Sequence, residues 1–289
     1  MTARVWLALL AAALPAGLAA ADPAAWRMTG QNGSEVTLLG SMHVLRPSDY
    51  PLPPTIDALV AGADRIVMEI DLDDIDPVAQ QRLVLETAML PPGTVLKDVI
   101  DEDVYRLAEV HMGALGVDVT ALERFEPWFL AITALDLGMR KLGFQSERGV
   151  EQYVVGRARA SGKQIVGLET IEFQMGLFDA LPREQQQALL EQTLNELDEG
   201  AGVLDKMVAS WRAGELESLS AELFEEFADY PGLYEKLVTK RNGSWVPLLE
   251  GMLADGNRHL VVVGALHLVG PGNVIELLEK RGHEVERLH

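Results

Sequence analysis

Four short apolar runs, Val36-Thr-Leu-Leu39, Arg65-Ile-Val-Met68, Gln164-Ile-Val166 and Leu260-Val-Val-Val263, lie far apart in the chain, with helix-patterned segments between them. Runs that are apolar throughout, rather than alternating, are what strands covered on both faces look like. Parallel neighbours need long crossovers, and the helical stretches supply them. The expected fold class is therefore α/β: a central, mostly parallel sheet with large helical insertions.

The residues just past each run matter as much as the run itself. The first and last runs lead into the same pattern, Gly40-Ser-Met-His43 and Gly264-Ala-Leu-His267; the second ends at Glu69, and the third leads into Gly167-Leu-Glu169. In an open α/β sheet, ligands and catalytic groups collect beyond the carboxyl ends of the strands. The four strand ends should thus share one edge and bring His43, Glu69, Glu169 and His267 towards one site. With six His and 26 Gly in the chain, Gly-x-x-His is expected about half a time by chance. A third copy, Gly256-Asn-Arg-His259, stands before a strand in a polar loop and reads as a decoy. Taken singly, each residue has a bland reading: a helix cap or surface charge for a Glu, a satisfied turn residue for a His. Four such accidents at four strand ends are a weaker explanation than one site.

Two His and two Glu suit a divalent metal, because imidazole and carboxylate together serve Mn, Fe, Co or Zn. A metal with an open position activates water and polarises a carbonyl, and a Glu outside the ligand set is placed to take the proton. There is no P-loop, dinucleotide fingerprint, Gly-x-Ser-x-Gly elbow or His-Glu-x-x-His, and no Cys at all. The absence of Cys removes thiol chemistry, disulfides and a lipoprotein anchor from consideration.

The formal charge of −20 argues against nucleic acid as a partner, since phosphate binding needs a basic patch. A basic start at Met1-Thr-Ala-Arg4, an apolar stretch over 5–14 and Ala19-Ala-Ala21 before Asp22 read as a cleavable signal peptide over residues 1–21. The mature chain is expected in the periplasm or secreted, without stable membrane insertion. Residues 22–289 are expected to form one domain, with the helical elaboration over about 100–255.

Three local expectations concern single elements. Gln31-Asn32-Gly33 between two strand-like stretches signals an opening hairpin. The run from Trp128 to Leu135, entered through Pro127, reads as a helix buried on all sides or as one lining an apolar groove. After Pro182 one long amphipathic helix is expected to about Arg212, with Leu190, Leu194, Leu197, Ala201, Leu204, Val208 and Trp211 in a seam, and Gly200 and Gly202 as a possible kink. That seam packs on its own domain or, on a sharper reading, forms a dimer contact. His111 lies on a packing face of an earlier helix and is expected outside the site.

The blocks Gly40-Ser-Met-His43, Met68-Glu69, Gly167-Leu-Glu169-Thr-x-x-x-Gln174, Lys240-Arg241-Asn242-x-x-Trp245 and Val263-Gly264-Ala-Leu-His267-Leu-x-Gly270, then Leu277-Leu278-x-x-x-Gly282, resemble the TraB/PrgY/GumN family, which is related to the Tiki proteases. The likeness covers essentially all of the chain beyond the leader. It implies a fold related to the erythromycin-esterase and ChaN-like group and a metal-dependent peptidase, with Mn or Co as the associated metals. By that likeness His43, Glu69 and His267 are metal ligands or catalytic groups, Arg241 and Asn242 line the same cleft as oxyanion donors, and Glu169 is ligand, base or support. The substrate is a peptide or small molecule. A metal-independent His/Glu hydrolase and a non-catalytic binding protein are the alternatives.

Overall fold

All four apolar runs form strands, and alternation along them sorts their side chains between two cores. The structure is a computed structural model that describes residues 22–71, 76–197, 200–225 and 231–288; the leader read over residues 1–21 lies outside these. β1 (Ala25–Thr29), β2 (Glu35–Ser41), β3 (Arg65–Ile70), β4 (Gln164–Glu169), β5 (Arg258–Gly264) and β6 (Glu286–Leu288) build a six-stranded sheet in the order β4-β3-β5-β2-β1-β6. The neighbours β4, β3, β5 and β2 run parallel. β1 is antiparallel to both β2 and β6. The opening hairpin is present, with Gly33 at φ 81 in the turn, a conformation that glycine adopts without steric cost.

A single helix, α1 (Pro54–Gly62), links β2 to β3. Between β3 and β4 come α2 (Pro77–Thr87), α3 (Glu102–Ala114), α4 (Pro127–Lys141) and α5 (Val150–Ala160). Between β4 and β5 come α6 (Ile171–Asp179), α7 (Arg183–Glu196), α8 (Gly200–Ala213), α9 (Leu216–Glu225), α10 (Pro231–Tyr234) and α11 (Lys240–Met252), the last two joined by a π-helical turn, Glu235–Thr239. α12 (Val274–Lys280) precedes β6. The helical elaboration thus begins earlier than residue 100 and is divided in two by β4.

Side chains alternate across a strand, and here the alternation is strict. Leu39, Ile66, Met68, Leu260 and Val262 face a core that includes Val154 of α5 and Trp211 of α8. Val36, Leu38, Val67, Val261 and Val263 face the opposite core, with Trp245 and Leu249 of α11 and Leu278 of α12. A third core, away from the sheet, joins α3, α4 and α7.

Two helical expectations need correction. The seam after Pro182 is not one helix, because α7 ends at Glu196 and α8 starts at Gly200. Its leucines serve different cores: Leu190 and Leu194 pack with α3 and α4, whereas Leu204, Val208 and Trp211 pack on the sheet. Heptad spacing cannot register a break of this kind, since each half keeps its own periodicity. α4 starts with Pro127 in its first turn, as expected, but it is not buried all round: Ile132 and Leu135 are 38% and 43% exposed. An apolar residue tolerates exposure, so an apolar run overstates burial.

Candidate functional site

β2 and β5 are parallel neighbours, with Ser41 in register with Gly264, so the two Gly-x-x-His turns leave adjacent strands at the same edge. They touch: a Cβ on Gly40 would stand 3.3 Å from Ala265 Cα, and one on Gly264 would stand 2.8 Å from His43 Nε2 and 3.4 Å from Glu69 Oε1. Both glycines are therefore needed for close approach of backbone and ring. Glu69 comes from β3 on the other side of β5, its Oε1 accepting the Gly264 N–H at 2.7 Å and lying 3.8 Å from His267 Nε2. His43, Glu69 and His267 thus surround the end of β5. Glu169 arrives from β4, as the strand order requires.

α11 closes the site from the sheet face that carries Val67, the face towards which Glu69 also points. Arg241 donates to Glu69 Oε2 at 2.5 Å, to Glu169 Oε1 and Oε2 at 3.1 and 3.0 Å through Nε, to Glu169 Oε2 at 2.8 Å through Nη2, to the Leu237 carbonyl at 3.0 Å and to His267 Nε2 at 3.1 Å. All five guanidinium N–H groups have an acceptor. Trp245 Nε1 donates to Glu169 Oε1 at 2.8 Å, and Gln174 of α6 donates from one Nε2 to Glu169 at 3.0 Å and to Glu69 at 3.3 Å. Glu169 is therefore the anchor of Arg241, with its carboxylate engaged by three side chains. Asn242 is fully buried, its amide N–H donating to the Gly272 carbonyl at 2.9 Å and its Oδ1 accepting from His267 Nδ1 at 2.6 Å. Both ends of the amide are committed to holding His267.

These contacts assign the His267 tautomer. The amide orientation set by Gly272 turns an oxygen to Nδ1, so Nδ1 carries the proton, and Nε2 offers its lone pair to Arg241. Burial pushes the His267 pKa down to about 3, with Arg241 and His43 adding to the effect against the opposing pull of Glu69. Glu69 is the converse case. Burial would raise its pKa, but His43 and Arg241, with the Gly264 N–H, outweigh it and hold the carboxyl at about 2.

His43 sits in a different setting. Its ring is 63% exposed, and its Nδ1 meets Glu151 Oε1 at 2.7 Å. The nearby Glu151 carboxylate is the main cause of a pKa raised to about 9. Glu151 also accepts from the Ser41 hydroxyl. Sequence reasoning missed Glu151 altogether. Its only local signal is an acid in the first turn of a helix, where such residues are common because they complement the helix dipole.

His259 and His111 stay out, as the sequence suggests. His259 is buried at the opposite end of β5, beside Asp255 at 3.0 Å, and His111 lies on α3, which packs against α7.

In kind, two imidazole nitrogens and the Glu69 carboxylate fit a divalent ion, and each His has its Nδ1 held by an oxygen, as metal-ligating histidines do. Among the described residues, no three His, Cys, Asp or Glu side chains already form a metal-binding group. The obstacle is visible: an Arg241 N–H covers the His267 lone pair that a metal would use.

No helix among the described residues is long and apolar enough to cross a membrane. The chain is similar to "Uncharacterized protein YbaP" of Escherichia coli (strain K12), at 27% identity over 241 residues, 83% of this chain and 86% of that protein. The YbaP of Shigella flexneri matches to the same extent. An "Uncharacterized protein" of Treponema pallidum (strain Nichols) is 24% identical over 287 residues, 93% of this chain and 84% of its own length. No solved structure matches the chain significantly. The model of the TraB/PrgY/gumN family matches residues 24–287, nearly everything the structure describes, and the chain belongs to that family.

Proposed function

We propose that the protein is a metal-dependent hydrolase, acting on peptides, that works in the periplasm or outside the cell. The observation that carries this reading is the meeting of His43 Nε2 and Glu69 Oε1 beside Gly264, with the same Glu69 oxygen 3.8 Å from His267 Nε2, from three strand ends at one sheet edge. His43, Glu69 and His267 would hold the ion, with Mn or Co the first choice and Zn or Fe the others. When bound, the ion supplies a water of lowered pKa and polarises the carbonyl under attack.

The remaining steps belong to the chain. Glu69 is fixed by Gly264 and Arg241, so its carboxylate offers a rigid oxygen pair. Arg241 neutralises the two neighbouring carboxylates and is the nearest cation to charge developing on a substrate oxygen; it serves that oxygen only by turning an N–H away from His267. His43, with its ring 63% exposed, marks the side of the site open to substrate and solvent. The leader-like start of the sequence supports the location, and the resemblance to the Tiki proteases favours a peptide over an ester.

A second reading rests on one observation of its own. The His43–Glu151 pair, with Arg241 already in contact with Glu69 and His267, would also serve a metal-independent His/Glu hydrolase in which the neutral form of His43, populated as pH rises towards about 9, activates water directly. Elemental analysis of untagged protein prepared without chelator, with hydrolysis assays on a peptide library and an ester panel, separates the two. The metal reading expects stoichiometric Mn, Co, Zn or Fe, lost together with hydrolysis in His43→Ala and His267→Ala. Hydrolysis by protein stripped of metal would overturn it in favour of the second reading. Retention of full metal by both variants would place the ion elsewhere.

A further inference from the structure

Glu151 is contributed by the first turn of α5, which is docked onto the first Gly-x-x-His turn at three successive residues. The Ser41 hydroxyl donates to Glu151 Oε1, the Val150 N–H donates to the Met42 carbonyl at 3.0 Å, and the His43 Nδ1–H donates to Glu151 Oε1 at 2.7 Å. Gly149, at the N-cap of α5, lies so close to the His43 carbonyl that a side chain there would collide with it. Met42 and Val150 also pack in the core under the sheet, but Ser41, His43 and Glu151 do not belong to it. Their common effect is to hold one exposed imidazole.

We propose that Glu151 is a positioning residue, whose carboxylate locks the tautomer and orientation of the His43 ring so that Nε2 faces Gly264 and Glu69. The acceptor dictates the chemistry. An ionised carboxylate only accepts, so the proton of a neutral ring is held on Nδ1 and Nε2 keeps its lone pair free for a metal or a hydrogen-bond donor. A ring that is 63% exposed has few packing contacts to fix it, and without Glu151 it would populate other rotamers and the other tautomer. The first-turn N–H groups of α5 stabilise the charge on the carboxylate. Ser41 shares the same oxygen and fixes the carboxylate in turn. Asn242 does the corresponding work for His267 from inside the core, whereas Glu151 does it at the surface, where packing cannot. In its consequence for metal the inference rests on the reading of His43 as a ligand; in its consequence for the ring it does not.

The test uses the full mature chain labelled with ¹⁵N-histidine, as wild type, Glu151→Gln, Glu151→Ala and Ser41→Ala. His43 is assigned through His43→Ala, and folding of each variant is checked by thermal melting. Wild type is expected to show a downfield, slowly exchanging His43 Nδ1–H, lost in Glu151→Ala, weakened in Glu151→Gln and retained but faster-exchanging in Ser41→Ala. Calorimetric titration with Mn²⁺ or Co²⁺ should show affinity lowered about 10- to 100-fold in Glu151→Ala, the usual effect of removing a partner that orients a ligand, and less in Glu151→Gln. A Glu151→Ala protein that is folded, keeps the Nδ1–H signal and binds metal as wild type does overturns the proposal. Should wild type take up neither ion, the metal reading fails, and the Nδ1–H signal alone decides whether Glu151 holds the ring.

Discussion

The two Gly-x-x-His turns are alike in sequence and in their place at the sheet edge, yet they put imidazole into opposite conditions. The His43 ring is 63% exposed and held by a carboxylate; the His267 ring is 6% exposed and held by an amide. The first has its pKa raised to about 9, chiefly by Glu151, and the second has it lowered to about 3, chiefly by burial. Identical motifs therefore deliver one ring that favours the charged form and one that resists it. The motif sets where a ring emerges, and its neighbours from distant helices set what the ring does.

The buried half should suffer most from substitution. Arg241→Met leaves Glu69 and Glu169 without their common cation, and removing one partner of a buried ion pair costs about 3–5 kcal/mol. Urea unfolding of metal-free protein measures this, and a loss under about 1 kcal/mol would show that water reaches the carboxylates after all.

Gly264→Ala tests whether the two halves depend on each other. Gly264 has an ordinary φ of −51, so the backbone accepts alanine, but the new Cβ would sit 2.8 Å from His43 Nε2. The ring must move, and a displacement of about 1 Å at a reacting group costs on the order of 10²-fold in rate. Hydrolysis and metal affinity should fall with little change in melting temperature; unchanged affinity would separate the two turns functionally.

A smaller effect distinguishes the two ring partners. Asn242→Ala strands the buried His267 Nδ1–H and the half-buried Gly272 carbonyl, at about 1–3 kcal/mol, whereas Glu151→Gln at the exposed ring should cost less than about 1 kcal/mol. Equal losses would mean that the His43 side is as closed as the His267 side.

The pH dependence of stability in metal-free protein is the weakest of these signals. His43 binds its proton more tightly folded than unfolded, so its contribution is complete below its ordinary pKa of 6.5 and disappears as pH rises through about 9. His267 behaves in the opposite way: it stays neutral when folded, so its contribution holds above 6.5 and is lost as pH falls from 6.5 towards 3. Exposure of His43 screens its ion pair, which makes the alkaline limb the shallower one. Stability should peak near neutrality, with Glu151→Gln flattening the alkaline limb and His267→Gln the acid limb. A variant that flattens the wrong limb would undo the contrast between the two rings.

The sheet and the edge at which these strand ends gather were legible in the chain alone. Strand runs such as 260–263 are apolar on both faces, and that burial requirement is local enough to read without a structure; it placed His43, Glu69, Glu169 and His267 at strand ends and left His259 aside, although β5 begins one residue before His259 and takes it out of the loop expected for it. Periodicity also announced the helices, but not the break between α7 and α8, because each half satisfies the same spacing while packing on a different core. Of the groups that touch the two imidazoles, Glu151 came from tertiary packing alone, whereas Arg241 and Asn242 were marked beforehand only by the family resemblance, which did not give the contacts they make. Glu151 and Asn242 are remote in sequence from the rings they hold, and Arg241 reaches Glu69, Glu169 and His267 from a helix entered through a π-helical turn that no pattern marks. Such contacts depend on how helices dock on the sheet, and a hydrogen bond between distant residues leaves no periodicity in either segment that makes it.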